Sequence, residues 1–92
     1  MSEQGRSLET FGGRLYASRL RLASEQRRPI TQRTVGDALG VTQTSVGRWE
    51  ADNKEPNLAT IARLARWLGV APGWHAFGEG EMLRAALPPP PW

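Results

Sequence analysis

Apolar residues along this chain recur at intervals of three and four, the spacing that lines one face of a helix. No segment alternates apolar with polar as a half-buried strand does. Behind Thr10, whose hydroxyl can cap a helix, Phe11, Leu15 and Leu22 keep that spacing. They predict a first helix that the polar run Ser24–Pro29 stops by about Arg27 or Arg28, since the residue before a proline is driven out of helical geometry. Arg14, Arg19 and Arg21 are expected largely on its other faces, and Gly12 and Gly13 are expected to weaken its first turn. Thr31 opens a second helix with Val35, Ala38 and Leu39 as its apolar face, and Gly40 stops it. Thr42 caps a third, running to about Ala51, with Val46 and Trp49 turned inward. Asn57 caps a fourth, with Leu58, Ile61, Leu64, Ala65 and Leu68 on the core side and Gly69 at its end. A short fifth helix is expected near Pro72–Phe77, with Pro72 in its first turn and Gly78 and Gly80 beyond it. The pattern predicts an all-α, compact five-helix domain over residues 10–80, preceded by a flexible arm (1–9) and followed by a short Pro-rich tail (81–92). In the tail the apolar segment Met82, Leu83, Ala85, Ala86 and Leu87 leads into Pro88–Pro91. That run is expected to be polyproline II, closed by Trp92 and read as a disordered end rather than a recognition peptide.

Composition narrows the function classes. A chain of 92 residues fits one domain. With no cysteine there is no disulfide and no thiolate metal site, and a single histidine, His75, supplies no metal cluster. No cofactor or metal is expected, and without a cofactor loop or a nucleophile–base pair an enzyme is not expected either. No apolar run approaches the roughly 20 residues of a membrane span. The polar N-terminus lacks a signal peptide's apolar stretch, so a cytoplasmic location is expected. Net charge is only +3, but it is unevenly placed: Thr10–Val70 carries ten basic residues against five acidic, while the flanks are net acidic. The positive field sits on the middle of the chain, where it either attracts phosphates or is ordinary solvated surface.

One stretch meets the spacing of a helix-turn-helix, two short helices crossing steeply over a tight turn. Val35 and Leu39 face the core one turn apart. Gly36, between them, allows close approach of the two helices. Gly40 tolerates the positive φ of the turn, Val41 is buried after it, and Val46 and Trp49 face inward from the second helix.

On these residues the chain resembles the Cro/C1-type helix-turn-helix family, which includes the lambdoid phage repressors and the Xre-like bacterial regulators. The similarity rests on Thr31-Gln32 and on the run Leu39-Gly40-Val41-Thr42-Gln43-Thr44-Ser45-Val46-Gly47-Arg48-Trp49-Glu50. It continues through Glu55-Pro56, Leu58, Thr60-Ile61, Leu64-Ala65 and Leu68-Gly69-Val70, and Pro72, Trp74 and Phe77–Gly80 resemble the family's closing helix. The resemblance implies a lambda-repressor-like domain and a sequence-specific transcriptional regulator. It further implies a repressor that binds a palindromic double-stranded DNA operator as a homodimer. One departure is the link from Arg19 to Gln32. These two are thirteen positions apart, longer than the family's usual link, with an insertion of about half a dozen residues around Ala23–Pro29.

The resemblance also places the third helix in the major groove. Gln43, Thr44, Ser45 and Arg48 are then the candidate base readers: glutamine suits adenine N6 and N7, and arginine suits guanine O6 and N7. Ser45 is open to a phosphate role as well. Gln32 is implied as a backbone anchor, with Arg33, Thr42, Asn53, Lys54 and Arg19 as further phosphate candidates. Glu50 is implied to pair with Arg19 and orient it. Gly47, inside a short helix, is read either as letting that helix sit deeper in the groove or as merely tolerated, the first being preferred. Trp49 and Trp74 read as core, and Trp67 as partly exposed. Trp67, Trp74, His75, Phe77, Met82 and Leu83 together are a candidate dimer surface, with His75 a helix-end or interface residue. The alternative function is a DNA-binding antitoxin of a toxin–antitoxin pair. A protein partner, toxin or anti-repressor, would then meet the arm or the tail.

Overall fold

The computed structural model describes residues 7–83. Five helices follow in order: α1 (Phe11–Gln26), α2 (Gln32–Leu39), α3 (Gln43–Glu50), α4 (Leu58–Leu68) and α5 (Pro72–Phe77). The all-α, five-helix expectation holds. An isolated antiparallel bridge joins Val70 to Leu83, and the Ala71 N–H donates to the Met82 carbonyl at 2.8 Å, so the chain after α5 returns to the core. The expectations for residues before Ser7 and for the Pro88–Pro91 run lie outside the described residues.

The helix boundaries follow local chemistry. Thr10, Thr31, Thr42 and Asn57 each cap a helix by accepting the N–H three residues on. Thr31 does so in a reciprocal capping box, with Thr34 returning the bond to the Thr31 N–H. Helices α2, α4 and α5 end on left-handed glycines, Gly40, Gly69 and Gly78. Helix α1 ends on Arg27, which holds the same left-handed geometry at φ 56° with a full side chain.

Helix α1 is the hub, packed against α3, α4 and α5, while α2 packs on α3. The core is Phe11, Leu15, Ile30, Val35, Leu39, Val46, Trp49, Ile61, Leu64, Ala65, Leu68, Val70 and Trp74, with Trp67 and Met82 half-buried against it. Two assigned core positions are corrected. Leu58 is 64% exposed: it stands one turn before Ile61, the first buried residue of α4, past the edge of the bundle. Ala38 is exposed because α2 buries only the narrow stripe Val35, Gly36 and Leu39.

The largest correction concerns α1. Arg14, expected on an outer face, is 5% exposed. Its guanidinium donates to the carbonyls of His75 (3.1 Å), Ala76 (3.1 Å) and Leu8 (2.8 Å). It thus occupies the C-terminal end of α5, where unpaired carbonyls and the helix dipole favour a cation. Burial lowers its pKa, opposed by the charges of Asp52 and Glu55. Arg19 also faces inward. Gly12 and Gly13 are buried rather than frayed: a Cβ on Gly12 would collide with the backbone carbonyls of Trp49 and Glu50, so the glycine lets α1 meet the end of α3.

His75 is fully buried, its ring 5.1 Å from Phe11 and stacked at 6.2 Å on Trp74. Desolvation pushes its pKa down to about 4, with the Arg14 charge acting in the same direction. It is a core residue of the α1–α5 junction. The proposed interface role is corrected for both His75 and Trp74, which the monomer already buries. Of that group, Phe77 and Leu83 are exposed.

Candidate nucleic-acid interface

Helices α2 and α3 meet through the tight turn Gly40–Thr42. Gly40 takes φ 75°, and the Val41 N–H returns to the Gly36 carbonyl at 2.9 Å. A Cβ on Gly36 would lie 2.6 Å from the Val41 carbonyl oxygen, a distance no side chain tolerates. The small residue demanded by the spacing is therefore demanded by contact. Thr42 then caps α3: its Oγ1 accepts the Ser45 N–H at 3.0 Å and donates to Ser45 Oγ at 3.0 Å. The backbone N–H groups of Gln43 and Thr44 have no intrahelical acceptor, and the first turn of α3 presents them with its positive dipole end.

The α3 helix is held in place by one buried carboxylate. Glu50, 3% exposed, accepts Arg19 Nε at 2.6 Å and Arg19 Nη2 at 2.9 Å, and also accepts Gln32 Nε2 at 3.0 Å. Arg19 Nη1 reaches on to the Ile30 carbonyl at 3.0 Å, and its guanidinium lies 5.4 Å over the Tyr16 ring. A single carboxylate thus ties the hub helix, the start of α2 and the end of α3 together. The pairing expected between Glu50 and Arg19 is present, and in bidentate form. Glu50 is thereby drawn inward, and the exposed Asp52 accepts the Gly12 N–H at 2.8 Å.

Gly47 has a contact that the sequence did not show. A Cβ there would lie 3.1 Å from Gln32 Oε1. The glycine makes room for the Gln32 amide, which lies across α3 between Gly47 and Glu50. Sequence reasoning missed this, because no spacing rule pairs residues fifteen apart; Gly47 in a short helix was the visible sign.

The other expected site residues fall as follows. Gln43, Thr44 and Arg48 are exposed on α3, and Ser45 is half-buried with its hydroxyl hydrogen free of Thr42. Gln32 and Arg33 begin α2, where the Thr31 cap takes the Thr34 N–H and leaves their own without an intrahelical partner. The Arg33 side chain is 78% exposed and lies 3.9 Å from Asp37, a pairing worth little in water. Asn53 and Lys54 are exposed in the α3–α4 loop, which the Asn53 N–H anchors to the Arg48 carbonyl at 2.9 Å. Arg19 is the outlier: its side chain is 12% exposed, and three of its five N–H groups are taken internally. Among the described residues no cluster of His, Asp or Glu could hold a metal, and no helix is long and apolar enough to cross a membrane.

An α2–α3 pair over a glycine turn, with polar groups outward and Glu50 turned in, defines a helix-turn-helix DNA-binding module. The family model described as helix-turn-helix matches residues 26–75, more than half of the chain. The chain belongs to the Cro/C1-type helix-turn-helix family of DNA-binding transcriptional regulators. A curated relative, the HTH-type transcriptional regulator DicA of Escherichia coli (strain K12), is 33% identical over 51 residues, covering 55% of this chain and 38% of the relative. The chain thus spans well under half of that relative's length. No solved structure gives a significant match.

Proposed function

We propose that this protein is a sequence-specific repressor acting in the cytoplasm as a homodimer on a palindromic operator. Its binding module is residues 10–80, with 1–9 as an arm and 81–92 as a tail. Gln43, Thr44 and Arg48 read base edges from the major groove, and Ser45 assists. Gln32, Arg33 and Thr42 hold phosphates at the helix starts, Asn53 and Lys54 do so from the α3–α4 loop, and Arg19 does so with its two remaining N–H groups. The observation that carries this reading is the outward face of α3. Gln43, Thr44 and Arg48 are exposed there, while Glu50, which would repel phosphate, is buried and bonded inward. The exposed Phe77 and Leu83, beside half-buried Met82, support a second copy near α5. A two-fold protein dimer reads two inverted half-sites.

The test is selection from random duplexes with purified protein, followed by affinity measurements. The expected product is an inverted repeat. Gln43→Ala then relaxes preference at one base by roughly 1–3 kcal/mol and leaves the others intact. Folded protein that enriches no sequence refutes specific readout, and enrichment of isolated half-sites refutes the dimer.

A further inference from the structure

We propose that the α1–α2 link carries a second phosphate-binding surface, built from Arg27 and Arg28, that extends the DNA contact along the backbone past the start of α2. This inference rests on the DNA-binding reading above and adds two contacts to it.

The link is short and anchored at both ends. The Arg27 and Arg28 N–H groups both bond to the Ala23 carbonyl, and Arg27 holds the left-handed geometry that closes α1. Ile30 is 2% exposed and plugs the core, and its carbonyl is gripped by Arg19. Between these anchors Arg27 and Arg28 are exposed. Among the described residues neither has a carboxylate within ion-pairing distance, whereas Arg21, nearly two turns earlier, is neutralised by Glu25 at 2.7 Å. The Arg28 guanidinium donates only to the neutral Gln26 side chain, at 3.1 Å.

Position makes this charge useful. Gln32 lies across Gly47 and bonds Glu50, so the start of α2 stands beside the face of α3 that carries Gly47, Glu50 and the exposed Gln43. Arg28 precedes Gln32 by four residues, at most about 14 Å of chain. A DNA strand carries one charge per 3.4 Å of helix axis. With one phosphate at the start of α2, the neighbouring phosphates of the same strand lie within reach of two arginine side chains. A left-handed arginine where a glycine fits without strain is the backbone sign that the side chain, not the turn, is what the position supplies.

The experiment compares wild type with Arg27→Gln/Arg28→Gln and with Arg27→Gly/Arg28→Gln, the second removing both charges in a residue that prefers the turn. Affinity for a random-sequence duplex is measured from 50 to 200 mM salt, with thermal unfolding alongside. Each lost phosphate contact flattens the log–log salt slope by about 0.9. Both variants are therefore expected to lose about 1.8 in slope, a salt effect about 12-fold smaller across that range, with Gln43-dependent base preference unchanged. If the arginines serve only the C-terminal dipole of α1, stability falls and the slope stays at the wild-type value, and this inference is overturned alone. If wild type shows no salt-dependent duplex binding, the DNA-binding reading falls and this inference with it.

Discussion

Acidification should destabilise this protein through His75. The ring lies in the core between Phe11 and Trp74, and desolvation holds its pKa at about 4 against 6.5 in an open chain. The folded state therefore keeps the imidazole neutral over a range in which the unfolded chain takes up a proton. The sign follows from linkage: wherever the unfolded state binds more protons, stability falls as pH falls. The contribution is complete above pH 6.5, declines from there to about pH 4, and is level below. Taking 1.36 kcal/mol per pKa unit, the loss is about 2 kcal/mol by pH 5 and about 3 kcal/mol at the end of the window. Against the 5–15 kcal/mol of an ordinary domain, that is a large share. Urea unfolding followed by tryptophan fluorescence at half-unit pH steps measures it. His75→Phe, which cannot titrate, supplies the background from the carboxylates. The difference between the two stability curves should develop between pH 6.5 and 4. Parallel curves through that window would show that the histidine takes up its proton in the fold as readily as in the open chain, and the burial argument would fail.

Three other outcomes test the remaining contacts. Arg27→Gly should raise stability by about 1 kcal/mol, since a left-handed residue with a Cβ costs roughly 1–2 kcal/mol; thermal unfolding that shows a loss would place the Arg27 side chain in a stabilising contact. Glu50→Ala should cost about 3 kcal/mol by leaving a largely buried guanidinium unpaired. Adding Arg19→Ala to it should recover part of that loss, and strict additivity of the two would refute the coupling. Gly47→Ala should gain up to about 1 kcal/mol of helix propensity yet weaken DNA binding several-fold, because the new methyl displaces the Gln32 amide. Unchanged affinity would detach Gln32 from the binding surface.

Local signals in the chain settle the helices and their ends. Thr10, Thr31, Thr42 and Asn57 cap where a hydroxyl or amide can reach an N–H three residues on, and Gly40, Gly69 and Gly78 stop helices where φ turns positive. The helix-turn-helix was legible for the same reason, since Val35, Gly36, Leu39, Gly40, Val41, Val46 and Trp49 meet geometric demands within a short span. What the sequence could not decide is which polar residues turn inward, because that depends on partners far along the chain. Arg14 is buried because the end of α5, about sixty residues on, offers it carbonyls. Ala38 and Leu58 are exposed because no neighbouring element covers them. Glu50 takes Gln32 as well as the Arg19 that the resemblance implied, because the packing of α1 against α3 brings all three to one point. Caps, turns and periodicity act over one or two helical turns and are written in the chain. The environment of a charge is set by whatever the fold packs against it, and for Arg14 and His75 only the tertiary structure determined that.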